Sequence, residues 1–315
     1  MNDRLDLNFI QNKSCQKGCN KSVRKEITEN DLCTDTSSAL DHLPVRCVGE
    51  WATQKIYHLV QYFAIFSNGM KNKWKGELNY IEICSGPGRC ISRENGMEFN
   101  GTALSIINHD TFRYIKNALF FDFNNCVVKT LNQRIAKLGI TNAKAVIGDF
   151  SQPRELCETI RNSVNTNSLN LVFIDPTDCG VPFSLIANIK QILPNADLII
   201  NLASGTDFNR NVVNALIKQE NYSKTVTKYS KFLGSADFFK DPVNIKYAAE
   251  GNNSVLRSNF REDYTRSLMS LGYKYFGFIR IRHYYDLLFA SAHKTGLSFW
   301  DKANKIHHDG QRKLF

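Results

Sequence analysis

Four acidic residues stand where apolar runs stop: Glu82 within Tyr80-Ile81-Glu82-Ile83, Asp122 after Ala118-Leu119-Phe120-Phe121, Asp149 after Ala145-Val146-Ile147-Gly148, and Asp175 after Leu171-Val172-Phe173-Ile174. A carboxylate accepts hydrogen bonds from hydroxyl, amine and ammonium groups. Just beyond Glu82 the chain reads Cys84-Ser85-Gly86-Pro87-Gly88. Gly86 and Gly88 carry no Cβ, so the backbone can turn sharply and a ligand can approach it. Pro87 fixes φ between them and stiffens the turn. Free N–H groups at a helix start behind such a turn favour a carboxylate or a phosphate. One acid at a strand end also serves as a cap or turn residue. Four of them behind a glycine turn form the pattern of a ligand site at the carboxyl edge of an open α/β sheet.

Two readings compete for the turn. The dinucleotide fingerprint G-x-G-x-x-G needs a third glycine, and after Gly88 the chain continues Arg89-Cys90-Ile91. The other pattern is acid-x-x-x-Gly-x-Gly, with Glu82 four residues before Gly86. It resembles motif I of the class I S-adenosylmethionine-dependent methyltransferases. The resemblance implies a cofactor site made by Glu82, Ser85, Gly86, Gly88, Asp122, Asp149 and Phe150. In it the turn wraps the methionine end, which Glu82 orients. Asp122 takes the ribose hydroxyls, Asp149 accepts from the adenine amine, and Phe150 packs on the ring. Asp175-Pro176-Thr177-Asp178 resembles the Asp-Pro-Pro-aromatic motif of amino-methylating nucleic-acid enzymes, with Thr177 and Asp178 in the last two positions. That replacement removes base stacking by the motif. Asp175 remains the candidate catalytic group, accepting a hydrogen bond from the nucleophile or acting as its base. Pro176 and Arg210 are expected on the substrate side, because an Arg there could hold a phosphate or carboxylate.

The elements that must position these groups follow from periodicity. Trp51, Ile56, Leu59, Val60, Phe63 and Phe66 recur at three- and four-residue steps, one apolar helical stripe. Asn68-Gly69 reads as its stop. Lys55 and His58 lie off the stripe and are expected to be solvated or to face a cleft. Strands are predicted at 79–83, 118–123, 144–149, 169–176 and 196–202, with helices between them. That alternation means a doubly wound, mostly parallel sheet. Residues 274–281 and 284–290 are two more strands on a very short link, which permits only an antiparallel hairpin. The expected fold class is therefore α/β, a seven-stranded Rossmann-like methyltransferase sheet with a C-terminal antiparallel hairpin. Residues 1–47 read as a polar, Cys-containing arm and 48–315 as the domain.

The net charge of the 315 residues is 40 − 30 = +10, without a dense basic block. That permits a nucleic acid or another polyanion as partner. The nine cysteines are an odd number, and no signal-peptide core precedes them, so a disulfide framework is not expected. Cys15-x-x-x-Cys19 could seed a metal site, yet the spacings to Cys33 and Cys47 match no zinc pattern, and no metal ligand set is assigned. No apolar run approaches membrane-spanning length. The expectation is a cytoplasmic protein with no membrane partner.

A closer resemblance rests on ordered blocks: Gly49-Glu50-Trp51 with Lys55, Cys84 through Arg89, Phe121-Asp122, Phe173-Ile174-Asp175-Pro176, Asp197 through Asn201, Leu287 through His293, and a tail near Trp300 and Gly310-Gln311. Together they resemble the three-Cys-motif partner protein family, whose name implies a separately encoded partner with a three-cysteine motif. Two functions follow from these likenesses. One is an enzyme moving a methyl group to N or O of an acceptor, with nucleic acid or a nucleotide-like molecule as a candidate. The alternative is a non-catalytic, cofactor-binding scaffold for a three-Cys-motif partner.

Overall fold

The computed structural model describes residues 7–13, 15, 32, 33, 35–205, 208–282 and 284–305, without the side chains of Asn209 and Arg210. The strands are β1 Ile10–Gln11, β2 Arg46–Val48, β3 Leu78–Ile83, β4 Arg89–Ser92, β5 Met97–Asn100, β6 Asn117–Asp122, β7 Ala143–Ile147, β8 Leu169–Ile174, β9 Ala196–Leu202, β10 Tyr275–Ile281 and β11 Tyr285–Ser291. The helices used below are α1 Trp51–Met70, α2 Thr102–Ile107, α3 Asn125–Lys137, α4 Pro153–Ser163, α5 Phe183–Ile192, α6 Val213–Ile217 and α7 Ser223–Leu233. Seven strands form one sheet in the order β10-β11-β9-β8-β3-β6-β7. Pairing is parallel along β3, β6 and β7, and antiparallel at β9–β11 and β10–β11. The predicted seven-stranded sheet with its terminal hairpin is what forms. Among the described residues no helix is long and apolar enough to cross a membrane.

The chain divides into two compact units. The first holds residues up to 149, with 168–171 and from 299 onward; the second holds 150–167 and 172–298.

In the first unit, α1 buries the predicted stripe of Ile56, Leu59, Val60, Phe63 and Phe66. Two expectations about this helix are corrected. Lys55 and His58 are buried rather than solvated. The His58 Nδ1 atom lies 2.7 Å from Asn304 Oδ1, and the Lys55 ammonium sits 5.5 Å from the Trp51 ring centroid. Distant partners can bury a polar side chain that a helical stripe leaves outside. The helix also passes through Asn68-Gly69 and ends at Met70. Gly69 serves packing: a Cβ there would fall 2.7 Å from Phe299 Cζ.

A second departure follows the glycine turn. No helix starts there. The chain runs out along β4, reverses at Asn95-Gly96 and returns along β5. The Asn-Gly pair suits a hairpin turn, with Gly96 at φ 69°. The Gly101 N–H then donates to Gly88 O at 2.8 Å, and α2 begins at Thr102. Strands β1 and β2 complete this smaller sheet, in the order β1-β5-β4-β2. Its polar centre is the fully buried Glu98. The carboxylate accepts from Arg89 Nε at 2.5 Å, Asn12 Nδ2 at 3.0 Å, Ser38 Oγ at 2.5 Å and the Ala39 N–H at 2.8 Å. These donors hold it below the usual carboxylate range, although burial alone would push it up.

In the second unit, β9 and β11 are buried along their whole length, apart from the half-buried first residue of β11. Buried strands of this kind read as near-continuous apolar runs. Strand β10 is half exposed, consistent with its edge position.

Candidate functional site

The turn after β3 departs from ordinary backbone at once. Cys84 takes φ 67°, a left-handed conformation uncommon outside glycine, followed by Gly86 at 68° and Gly88 at 95°. Backbone tethers fix this path. The Ser85 N–H donates to Phe121 O at 3.0 Å, and the Gly86 N–H donates to Asp122 Oδ2 at 3.2 Å. Asp122 Oδ1 accepts from the Asn124 N–H at 3.0 Å, so this one carboxylate ties the glycine turn to the loop after β6. On α3, Arg134 Nη1 donates to Pro87 O at 2.6 Å.

The two glycines do different work. A Cβ on Gly88 would fall 2.9 Å from Leu131 Cδ1 and 3.1 Å from Leu104 Cγ, so this position is closed by the core. A Cβ on Gly86 would meet only Arg46, at 3.5 Å from Nη1. The backbone of Gly86 is thus approachable, with a guanidinium bordering the space above it.

Ser85 supplies the strongest pointer to a ligand. The residue is 5% exposed, and Oγ has no hydrogen-bond partner among the described residues. An orphaned buried hydroxyl is rare in a native fold and costs about 1–3 kcal/mol. The other predicted cofactor residues are placed differently. Glu82 is 0% exposed; Oε2 accepts from the Tyr80 hydroxyl at 2.7 Å and Oε1 from Thr102 Oγ1. It therefore links β3 to the start of α2 from inside the core. Asp122 is 3% exposed at the turn, and Asp149 lies exposed beyond β7. The structure thus brings Ser85, Gly86 and Asp122 together, with Glu82 sealed behind them.

The second unit contains Phe150, which is half-buried, and the Asp175 segment. Asp175 is 6% exposed, and its Oδ1 accepts from Asn201 Nδ2 at 2.9 Å. The same Nδ2 lies 3.4 Å from Pro176 O, while Asn201 Oδ1 is buried without a hydrogen-bond partner among the described residues. Sequence reasoning gave Asn201 no role at the site. The available signal was a lone amide ending the apolar run Leu198-Ile199-Ile200. Asp178 pairs with Lys228 Nζ at 2.6 Å. The Arg210 side chain, expected on the substrate side, lies outside the described residues. Among the described residues no group of three or more His, Cys, Asp or Glu could hold a metal ion.

No family model matches the chain, and no curated protein matches it. Solved structures do resemble it. Protein LPL1258 from Legionella pneumophila is 11% identical, with 83% of this chain and 94% of that one covered and a TM-score of 0.45. Magnesium protoporphyrin IX methyltransferase from Synechocystis PCC 6803 is 12% identical, covering 76% and 84%, with a TM-score of 0.37. An S-adenosylmethionine-dependent methyltransferase from Clostridium acetobutylicum is 12% identical, covering 53% and 54%, at 0.30. The present chain spans about half the length of this last protein. At these identities the likeness is one of fold.

Proposed function

We propose that the chain is an S-adenosylmethionine-dependent methyltransferase acting on N or O of an acceptor. The observation that carries this reading is the orphaned Ser85 hydroxyl beside Gly86, a turn with accessible backbone tied down by Asp122. A buried polar atom left unmatched among the described residues fits a ligand rich in acceptors and donors. The residues present suit the cofactor. Ser85 Oγ and the turn backbone would hold its methionine end. Asp122 would accept from the ribose hydroxyls while still orienting Gly86. Gly88 shapes the turn, and Glu82 acts as a positioning residue through Tyr80 and Thr102. Asp149 and Phe150 are assigned to the adenine by their place in the motif. When bound, the cofactor supplies an electrophilic methyl group on a sulfonium. In-line transfer then needs mostly positioning. Asp175 would accept a hydrogen bond from the nucleophile or take its proton at a carboxylate oxygen, with Asn201 fixing the carboxylate's orientation. Pro176 and Arg210 are proposed on the acceptor side.

The finer assignment to the three-Cys-motif partner proteins rests on the ordered sequence blocks, and a separately encoded partner is a proposal with it. Titration of S-adenosylhomocysteine into the full chain tests the cofactor reading. Micromolar binding lost in Gly86→Val supports it; tight NADH binding in its place reverses it. Transfer of labelled methyl to a cell extract, lost in Asp175→Ala with cofactor binding retained, supports catalysis. Binding with no transfer under any condition is the outcome the scaffold reading requires.

A further inference from the structure

A cleft of about 1080 Å³ opens within the second unit, between α7 and the N-terminal ends of α4 and α5. Its charge is one-sided. Lys224, Lys228 and Lys231 line it from α7, spaced four and three residues apart and so on one helical face. The facing walls are two helix starts, at Pro153 and Phe183, neither capped by a side chain. Uncapped N-termini present free N–H groups and the positive end of the helix dipole. None of the lining residues is acidic. Ser230 Oγ in the same lining is buried and has no hydrogen-bond partner among the described residues. Glu155, in the first turn of α4, lies outside the lining.

One carboxylate does reach in. Asp178 pairs with Lys228 at 2.6 Å, which fixes that ammonium group and offsets its charge. Lys224 and Lys231 make no ion pair or hydrogen bond with a described side chain. Two exposed lysines and two helix starts therefore border the cleft. Charge of this kind recognises an anion. Beside Ser151, Ser184, Thr227, Ser230 and Ser235, the lining includes the apolar side chains of Pro153, Pro182, Phe183 and Val226. The volume is also far beyond what a bare phosphate fills, in the range of clefts that bury whole small molecules.

We propose that this cleft binds a nucleotide unit, its phosphate on Lys224, Lys231 and the helix ends, its base and sugar against Phe183 and the prolines. Gly180 of the lining is five residues from Asp175, a reach of at most ~18 Å. If the methyl-transfer reading holds, on which this one step rests, the cleft anchors a nucleotide-bearing acceptor near the group that receives its proton. The binding itself stands without that reading.

Uridine 5′-monophosphate is the test ligand, since it offers no adenine to the glycine turn. It is titrated into the full chain at about 50 mM salt, beside uridine, inorganic phosphate and a uridine oligonucleotide. The nucleotide is expected to bind, uridine not to, and affinity to fall as salt rises. Lys224→Ala with Lys231→Ala should weaken binding roughly tenfold for each lysine lost. Both lysines are exposed, so circular dichroism should be unchanged. Gly86→Val, which is expected to lose S-adenosylhomocysteine, should retain the nucleotide, so the two readings fail separately. An oligonucleotide binding more tightly than the mononucleotide identifies RNA as the source, and equal affinity identifies the free nucleotide; both uphold the site. No nucleotide binding, affinity unchanged in the double lysine variant, or phosphate bound as tightly as the nucleotide would overturn it.

Discussion

Replacing Arg134 by Met tests whether the glycine turn is held by buried electrostatics. The side chain is 3% exposed and its partner Asp41 14%. Nε and Nη2 donate to the two Asp41 oxygens at 2.8 and 3.0 Å, a bidentate fork. The remaining donors reach Pro44 O at 2.9 Å, Leu43 O at 3.3 Å and Pro87 O at 2.6 Å. Methionine matches the stem and makes none of these bonds. Breaking one side of a buried pair costs about 3–5 kcal/mol, because the surviving charge is uncompensated. Asp41 retains some solvent, so the low end, about 3 kcal/mol, is expected. With a urea slope of about 2 kcal/mol per molar, the midpoint of the first unit should fall by roughly 1.5 M. Adding Asp41→Asn removes the stranded charge and should recover about 1–2 kcal/mol. The pH dependence has a definite sign. Burial would raise the Asp41 carboxyl, but the Arg134 hydrogen bond, the Leu43 backbone and the guanidinium charge outweigh it and bring it from 3.8 to about 2. A depressed carboxyl gives stability that is present above 3.8 and lost as pH falls through 2. In Arg134→Met only burial and weaker bonds remain, so the deficit against the wild type should shrink as pH drops below 4. Equilibrium urea unfolding of the four proteins between about pH 3 and 7 measures this. A deficit independent of pH, or Arg134→Lys unfolding like the wild type, would refute the fork as the cause.

Three further outcomes follow from single positions. Ser85→Ala removes an orphaned buried hydroxyl, so it should stabilise the fold by about 1 kcal/mol while weakening S-adenosylhomocysteine binding roughly tenfold; weaker folding with unchanged binding would reverse its assignment. Gly88→Ala places a Cβ against Leu131 and Leu104 at φ 95°, so thermal unfolding should report a loss of about 2–4 kcal/mol. Burial, partly countered by the nearby Arg161 charge, pushes the Cys157 thiol up to about 11, whereas Cys126 is exposed. Peptide mapping after mild iodoacetamide treatment should therefore find Cys126 alkylated and Cys157 intact, and equal labelling would contradict the burial.

What could be read from the sequence was whatever local pattern decides. Buried strands β3, β6, β8 and β9 are near-continuous apolar runs with one or two polar residues each, and the short link after Ile281 leaves only a hairpin. The turn after β3 was legible because Gly86 and Gly88 need positive φ. What was missed depends on partners far along the chain. Lys55 and His58 looked solvated or cleft-facing because a stripe sees only its own helix, yet both are buried and Asn304 meets His58. Arg134 reads as a solvent-side residue of α3, and nothing local announces that Asp41, Pro44 and Pro87 converge on it. The β4–β5 excursion had its signal in Asn95-Gly96, which breaks the region ahead of the short helix expected around 102–109 and found at Thr102–Ile107, but that signal did not announce the pairing of two strands there.

The four strand-end acids show why register alone does not define a site. All were placed at the carboxyl edge by the same pattern, but burial separates them. Glu82 is at 0% exposure, with Tyr80 and Thr102 donating to its two oxygens. Asp122 and Asp175 keep a small opening, and each is held by hydrogen bonds: from backbone N–H groups to Asp122, and from the Asn201 amide to Asp175. A carboxylate held this way is already desolvated and aimed, so it loses little on meeting a donor. Asp149 is exposed and must shed water to bind anything. The order in which substitutions should damage binding is therefore set by pre-orientation, with Asp122 ahead of Asp149. The effect of changing Glu82 should appear first as lost stability, because removing it strands two buried hydroxyls before it alters any contact with a ligand.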